Sequence, residues 1–543
     1  MKQYVIGVDF GTLSGRAAIF DVRDGRQLAE HTVVYPHGVM DEYLPGGVKL
    51  EADTALQDPR DYLHVLHEAV PALLRRSGVD GEAVVGLGID FTSCTILPTD
   101  EKGSPLCFRE EYRFEPHAYV KLWKHHAAQE QAARVNALAQ QEPWITRYGG
   151  QISSEWVLPK VMEVLEKCPR VFDDAACFVE AGDWLVWQMT GRKCGSVCMA
   201  GYKALWSAEE GYPAEDFFRR LDPRLTELPR EKLMSNIIPT GGRAGTLRQE
   251  VAAQLGLSAD TVVASAMIDA HAALPALGIV EPGKMLMIIG TSTCHIMMDE
   301  QERAVQGISG VVKDGIVEGY YAYEAGQPAV GDSFDWFVKN GLSGAVEEES
   351  REKGVDVHTL LSRKAEKLSP RDSHLVALDW WNGNRSVLSD SRLSGLLVGL
   401  TLTTQPEEIY RALLESTAYG ARVIHEAFAE TGVEIRELYA AGGIPAKNPL
   451  MMQIYADVLD REIRVATTAQ SPALGGALYA ATAAGCFAHL GDAAGAMVRT
   501  KMTVYRPDPE NAAAYRRLYG VYRQLHDYLG RERPDVMAAL KGE

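Results

Sequence analysis

Near its N-terminal end the chain reads Gly7-Val8-Asp9-Phe10-Gly11-Thr12-Leu13-Ser14-Gly15-Arg16, which begins within a run of apolar residues. A cruder copy follows in the second half, Ile288-Ile289-Gly290-Thr291-Ser292-Thr293-Cys294. Each copy predicts an apolar strand, a Gly-Thr turn and a second strand that ends at an aspartate, Asp21 or Asp299. Because glycine lets the backbone approach a bulky anion, turn N–H groups and neighbouring hydroxyls can bind phosphate oxygens there. The two hairpins together predict a nucleotide triphosphate held between two domains.

The turns of both hairpins are expected to bind the nucleotide, through Gly11, Thr12 and Ser14 in the first and Gly290, Thr291 and Ser292 in the second. The hairpins differ beside the turn, because Asp9 of the first copy corresponds to Ile288 of the second. A phosphate-bound cation therefore has a carboxylate on one side only. Magnesium takes one or two carboxylates and keeps several waters, so Asp9 is the candidate magnesium ligand, through water. The alternative is an aspartate that only caps the turn.

The composition is that of a folded protein with more than one domain. A chain of 543 residues is too long for one hydrophobic core, and its apolar and charged contents, 46% and 24%, are ordinary. The net charge of −18 argues against binding to nucleic acids or to anionic membrane surfaces. Eight cysteines without a CxxC pair, in a chain without a leading signal sequence, predict reduced thiols in the cytoplasm. Cys194 and Cys198 lack the further ligands of a zinc site, and the stretch from Pro472 to Leu490 favours a buried helix over a membrane span.

Apolar periodicity and turn residues divide the chain into two similar halves. The dipeptide Pro282-Gly283 breaks the chain just before the second hairpin, which predicts domains 1–281 and 282–543. A long helix is expected from Pro406 to Glu430. The other expected elements are strands over 4–9, 16–22, 27–35, 84–90 and 437–441, helices over 59–76, 117–136 and 154–167, a strand leading into a helix over 262–277, and a C-terminal helix with an aromatic packing face.

Asp269 lies in an otherwise apolar stretch just before the domain boundary. A carboxylate there can cap the helix that follows. It can also act as a general base that accepts the proton of a substrate hydroxyl while that oxygen attacks the γ-phosphate of a nucleotide. The two roles are compatible because a carboxylate has two oxygens. His271 is the competing base, although two residues further along a helix it would point elsewhere.

Two other features suit a ligand site. The pair Gly442-Gly443 follows a predicted strand and precedes a helix, so it permits close approach of a nucleotide, whereas the alternative is a plain strand-to-helix turn. Lys203 and Glu324 are charges among aromatic and small residues. A polyhydroxylated substrate needs such donors and acceptors beside flat apolar walls. The alternative is a solvated charge on a half-exposed strand.

These motifs resemble those of the FGGY carbohydrate kinases, within the actin/hexokinase/Hsp70 superfamily, over nearly the whole chain. Asp9-Phe10-Gly11-Thr12, Gly290-Thr291-Ser292, and Gly442-Gly443 with Asn448 are similar to the family's first phosphate, second phosphate and adenosine motifs. The stretch from Gly399 to Gly420 is similar to its long signature helix, and Asp269 falls on its catalytic base. The resemblance implies ATP and Mg²⁺ as cofactors. It also implies an α/β fold of two ribonuclease-H-like domains, each a five-stranded mixed sheet flanked by helices, with a central cleft.

Longer strings are similar to those of family members that phosphorylate L-ribulose. They are Asp90-Phe91-Thr92-Ser93-Cys94-Thr95, residues 116–126, residues 149–156 and residues 321–327. This resemblance implies ATP-dependent formation of L-ribulose 5-phosphate in arabinose catabolism, a sugar pocket lined by Cys94, Lys203, Asp269 and Glu324, and a homodimer. The Trp-x-Asp-x-Arg pattern of glycerol and xylulose kinases is absent. The alternatives are a kinase for another ketopentose or polyol, and a non-catalytic nucleotide switch of the actin or chaperone type.

Overall fold

The computed structural model describes residues 3–467 and 472–541. The N-terminal half of the chain is built on a mixed β-sheet. The strand Tyr4–Phe10 pairs antiparallel with Ser14–Asp21 and parallel with Val84–Phe91. All residues of Val84–Phe91 but one are buried, as expected for a strand covered on both faces. In order across the sheet the strands are Arg243–Thr246, Val262–Ala264, Val84–Phe91, Tyr4–Phe10, Ser14–Asp21 and Gln27–Val34, with Met267–Ile268 pairing on Val84–Phe91.

The second half repeats this topology. Lys284–Ile289 pairs antiparallel with Thr293–Asp299 and parallel with Glu437–Ala441, as the corresponding strands do in the first half. The strand order is Gly310–Lys313, Tyr321–Gln327, Thr293–Asp299, Lys284–Ile289, Glu437–Ala441, Ile463–Ala466 and Met502–Tyr505. Both sheets therefore contain the same five-stranded core with extra edge strands. This confirms the predicted fold class and the repeat that the two hairpins indicate.

Helices cover the sheets, and their ends follow ordinary capping chemistry. The helix Pro59–Ser77 starts with proline, is capped by the Asp58 side chain and ends at Gly78 in the left-handed conformation. The predicted long helix is present as Pro406–Glu430, with a capping box between Gln405 and Glu408. The remaining helices of the first half are Gln129–Ala139, Val157–Lys167, Pro169–Asp174, Ala181–Thr190, Val197–Lys203, Glu215–Leu221, Leu228–Glu231, Gln249–Leu255 and Asp269–Ala276. Those of the second half are Gly331–Asn340, Gly344–Glu352, Val357–Ala365, Gly443–Lys447, Pro449–Leu459, Leu474–Ala483, Leu490–Met497, Pro509–Asp527 and Pro534–Ala539.

The described residues also form three smaller sheets. A four-stranded sheet lies in the first half, in the order Leu56–Gln57, Val120–Lys121, Ile96–Thr99 and Cys177–Glu180. Two-stranded sheets join Gly195–Ser196 to Ile237–Ile238 and Val376–Leu378 to Leu396–Val398.

The helix Leu474–Ala483 belongs to the second half in sequence but packs on the sheet of the first half. A Cβ on Gly7 would overlap the carbonyl oxygen of Ala473, and one on Gly88 would overlap that of Gly476. Glycine therefore lets this helix lie directly on the strands. The structure confirms the predicted buried helix, and no helix in residues 3–467 or 472–541 is long and apolar enough to cross a membrane.

The predicted helix over 117–136 is wrong in its first part. Residues Pro116–Ala118 form a single 3₁₀ turn, Val120–Lys121 is a short strand, and the α-helix is confined to Gln129–Ala139. The backbone is extended at Lys121 because it pairs with both Leu56 and Ile96 of the small sheet. The Lys121 ammonium is then buried 3.0 Å from Glu163. This pairing between distant segments overrides the local helical pattern.

The other element predictions are confirmed with small shifts at their ends. The C-terminal aromatic face lies on the helix Pro509–Asp527, where Tyr515 and Tyr522 are wholly buried. The helix expected over 154–167 begins at Val157. The strand-to-helix passage over 262–277 is resolved into short strands followed by the helix Asp269–Ala276.

Candidate active site

The first hairpin turn is held in shape by contacts from neighbouring segments. The Gly11 N–H donates to the carbonyl oxygen of Ser14 at 3.0 Å. Trp123 Nε1 donates to the Thr12 hydroxyl at 3.1 Å, and Gln57 Nε2 donates to the Thr12 carbonyl at 2.7 Å. Because the Thr12 hydroxyl oxygen accepts the N–H of the Trp123 indole, the Thr12 O–H is free to donate to an anion.

The second turn is fastened by the helix Gly331–Asn340. The Val330 N–H donates to the Thr291 carbonyl at 2.7 Å, and the Gly331 N–H donates to the Gly290 carbonyl at 3.0 Å. A Cβ on Gly331 would lie 2.8 Å from that Gly290 oxygen, so the helix approaches this closely only with glycine there. Gly290 itself donates to the Ser292 carbonyl at 2.8 Å, which makes a tighter turn than the first.

The predicted adenosine motif lies beside the second hairpin. Gly442 has a φ of 120°, and a Cβ on it would overlap the carbonyl oxygen of Ile289, two residues before Thr291. Gly443 begins a short helix and is exposed. Asn448 caps the next helix, since its Oδ1 accepts the Met451 N–H at 3.0 Å. The Asn448 amide N–H groups can still donate to a ligand.

Asp9 lies beside a second aspartate, Asp90, to which the sequence motifs give no role. Asp9 and Asp90 are paired in register on neighbouring parallel strands, near the carboxyl ends where α/β sheets bind ligands. Asp90 is 1% exposed, and neither carboxylate oxygen has a hydrogen-bond partner among the described residues. Burial, with Asp9 and Asp269 nearby, raises the pKa of Asp90 well above its ordinary value, and burial also raises the pKa of Asp9. The position of Asp90 at the end of a buried strand was the signal that could have identified it.

Asp269 is the first residue of the helix Asp269–Ala276, and Ile268, not Asp269, occupies the capping position. The capping alternative therefore holds only in part: Asp269 Oδ1 accepts the Ala270 N–H at 2.6 Å. Burial and the negative charge of Asp9 raise the pKa of Asp269 to about 7. A carboxyl group whose pKa lies near neutral pH is well suited to accept a proton in catalysis.

Lys203 and Glu324 form a buried ion pair between the two halves. The Lys203 Nζ is 2.9 Å from Glu324 Oε1, and the side chains are 4% and 12% exposed. Burial alone would lower the pKa of Lys203 and raise that of Glu324, but their attraction reverses both shifts. His271 Nε2 is 3.1 Å from Glu324, and its Nδ1 is 3.3 Å from the sulfur of Cys198. His271 therefore lies behind Glu324. Because Lys203 and Glu324 are largely buried and paired, they are not charges solvated on a half-exposed strand.

Cys94 lies at the end of a loop that is held by buried charges. Its φ of 56° is unusual for a residue with a side chain, and it is 2% exposed. Lys160 Nζ donates to the Cys94 carbonyl at 2.5 Å, and Glu180 accepts the Thr95 N–H at 3.0 Å. Burial raises the pKa of the Cys94 thiol to about 12. The thiol is therefore neutral at ordinary pH.

Two family models match the chain. The N-terminal domain of the FGGY family of carbohydrate kinases matches residues 4–276, and its C-terminal domain matches residues 285–484. The chain belongs to this family. The family resemblance inferred from the motifs is thereby confirmed, and the chain is an ATP-dependent sugar kinase.

Similar proteins of known name cover almost the full length. A ribulokinase of Halalkalibacterium halodurans is 53% identical, over 99% of this chain and 97% of that protein. A ribulokinase of Geobacillus thermodenitrificans is 51% identical, with the same coverage. The crystal structure of xylulose kinase from Rhodospirillum rubrum, 23% identical, superposes with a TM-score of 0.81 and covers 97% of this chain and 99% of that one. The last likeness concerns the fold alone.

Asp9 and Asp90 suit a metal ion that is bound mainly by nucleotide phosphates. No group of three or more His, Cys, Asp and Glu side chains in the described part of the chain could hold a metal ion alone. Magnesium carried by ATP needs only one or two carboxylates. Asp9 at the first turn, and the unpartnered oxygens of Asp90 beside it, fit that requirement.

Proposed function

We propose that this sugar kinase transfers the γ-phosphate of ATP to the 5-hydroxyl of L-ribulose, giving L-ribulose 5-phosphate in the breakdown of L-arabinose. The observation that carries the proposal is the half-buried Asp269 at the start of its helix, where burial and the charges of Asp9 and Glu324 raise its pKa to about 7. The names of the similar full-length proteins support ribulose as the acceptor. A nucleotide switch would have no use for the buried Lys203–Glu324 pair.

On the sugar side, Lys203 donates hydrogen bonds to sugar oxygens and Glu324 accepts them from sugar hydroxyls. Cys94 closes the pocket with a neutral, apolar surface. Asp269 takes the proton of the 5-hydroxyl while that oxygen attacks the γ-phosphorus, and the bond from this phosphorus to the β-phosphate oxygen breaks, releasing ADP. General-base assistance of this kind is typically worth about 10²–10⁴-fold in rate.

On the nucleotide side, the two turns hold the phosphates and the second half holds the adenosine. The amides and hydroxyls of Gly11, Thr12, Ser14, Gly290, Thr291 and Ser292 donate to phosphate oxygens, and Gly442, Gly443 and Asn448 bind the adenosine part. Asp9 would hold Mg²⁺ through water, with Asp90 beside it. When bound, the ion supplies positive charge that offsets the charge of the phosphates. Approach of the two halves excludes water, which would otherwise accept the phosphoryl group.

Three further features belong to the proposal. The domain boundary falls between residues 281 and 282, directly before the strand Lys284–Ile289. The eight cysteines are all unpaired, in keeping with a reducing cytoplasm. The protein forms a homodimer, which light scattering of the purified protein tests.

The acceptor is tested by a coupled assay of ATP consumption over a panel of ketopentoses and polyols. We expect L-ribulose to give the highest kcat/KM. A higher value with xylulose, another ketopentose or glycerol would move the chain to that substrate. ATP turnover that no sugar changes would contradict the kinase mechanism itself.

A further inference from the structure

Among the described residues, two of the ion pairs that join the halves lie close to the strand Tyr321–Gln327, and their cations come from opposite halves. In the first, Lys203 of the N-terminal half meets Glu324 of the C-terminal half. In the second, Arg385 of the C-terminal half lies 3.4 Å from Glu155 of the N-terminal half, measured from Nη2 to Oε1. Each half thus contributes one cation and one anion. The motifs identified only the first pair.

Arg385 belongs to the same pocket as the first pair. Its side chain passes over Gly326, where a Cβ would lie 3.2 Å from the Cδ of Arg385. Gly326 and Glu324 are two residues apart on the strand Tyr321–Gln327 and so face the same side of the sheet. The carboxylate of Glu155 raises the pKa of Arg385, and the charge of Glu324 adds to this effect. The guanidinium therefore lies among groups already assigned to the sugar.

The donors of Arg385 are largely unused. A guanidinium has five N–H donors. Among the described residues its side chain makes one hydrogen bond, to Glu155, and this bond of 3.4 Å is longer than an ordinary N–H···O bond. The Arg385 side chain is 33% exposed and that of Glu155 is 13% exposed. The pair thus lies at the edge of the pocket, and several N–H donors of Arg385 remain available to a ligand.

We propose that Arg385 and Glu155 form a second sugar-binding pair, which rests on the proposed kinase function. Arg385 donates to hydroxyl or carbonyl oxygens of the ketopentose from the C-terminal half. Glu155 accepts from a sugar hydroxyl and orients the guanidinium from the N-terminal half. Because each pair spans the halves, the sugar is fully bound only when the halves are together. Sugar affinity and closure of the cleft are thereby linked.

The test varies L-ribulose at saturating ATP, and then ATP at saturating sugar, for R385Q, R385K and E155Q. Loss of hydrogen bonds from a charged donor predicts that R385Q raises the KM for the sugar roughly 10-fold or more. The KM for ATP stays unchanged. R385K recovers part of the loss, and the double variant R385Q/E155Q raises the sugar KM by less than the product of the two single effects, because each residue also orients the other. The matched control is R464Q, which breaks the 2.6 Å pair of Arg464 with Glu437 inside one half and leaves both KM values unchanged.

Thermal unfolding with and without sugar, in the absence of ATP, gives an independent readout. The sugar raises the Tm of the wild-type protein and of R464Q, but raises that of R385Q much less. An unchanged sugar KM in R385Q, or an equal rise of both KM values, overturns the inference. If R385Q does not fold, the same comparisons on R385K and E155Q decide. Failure of the wild-type protein to use any sugar contradicts the proposed function, whereas normal sugar kinetics in R385Q contradict only the second pair.

Discussion

Replacement of Asp269 by asparagine separates the chemical role of this residue from its structural one. Asparagine has the same shape and keeps an oxygen that can accept the Ala270 N–H, so the start of the helix is preserved. It has no basic oxygen with which to take a proton from the sugar. We expect kcat to fall by about 10²–10⁴-fold, which corresponds to about 3–5 kcal/mol of transition-state stabilisation. The dissociation constants of ATP and sugar should change little.

The same substitution should make the protein more stable at alkaline pH. The pKa of Asp269 rises from 3.8 when unfolded to about 7 when folded. Such a raised carboxyl pKa means that the free energy of unfolding decreases as the pH rises from about 4 to 7, because the folded state resists ionisation. The whole effect amounts to about 4 kcal/mol at most, and asparagine abolishes it. D269N should therefore exceed the wild type in Tm at pH 8 and match it at pH 4.

The assay combines steady-state kinetics, calorimetric binding of ATP and sugar, and thermal unfolding at the two pH values. In the wild type, kcat should increase with pH through about 7, as the base ionises. D269N should lose this rise. Near-normal kcat in D269N would remove Asp269 from the role of base. Loss of sugar or ATP binding together with kcat would mean that the residue positions ligands instead.

Two further predictions concern the metal side and the packing of the halves. D9N should raise the Mg²⁺ concentration for half-maximal activity roughly 10-fold, because a carboxylate near the ion is lost; an unchanged magnesium curve with altered sugar affinity would contradict this role. G7A should lower the free energy of unfolding in urea by about 3 kcal/mol through overpacking against Ala473. The control is G520A in an open helical position, which should be neutral or stabilising.

The local parts of this structure could be predicted from the sequence. The two hairpins, the helix Pro406–Glu430 and the strand Glu437–Ala441 have their signals within a few neighbouring residues. Burial of the C-terminal aromatic face also follows from its spacing. These features depend on backbone propensity and apolar periodicity, which are properties of residues close together in the sequence.

The long-range parts could not be predicted in the same way. Lys203 meets Glu324 across 121 residues, and the pairing of Arg385 with Glu155 spans 230. The residues near Lys203 and Arg385 in the sequence do not indicate which carboxylate each one pairs with. Asp90 belongs to one of the family-like strings, but its place beside Asp9 depends on the pairing of two distant strands. The error over residues 117–128 has the same origin, since Lys121 is extended because two distant segments pair with it.

The packing of Leu474–Ala483 on Gly7 and Gly88 limits how the two halves of this kinase can be exchanged. The glycines of the first sheet leave room for one particular helix. That helix lies roughly 200 residues after the proposed domain boundary. A chimera that joins this N-terminal half to the C-terminal half of a relative must therefore import a helix with matching small residues. The first sheet and the distant helix that covers it must therefore be exchanged together. A gene fusion at the proposed boundary separates them.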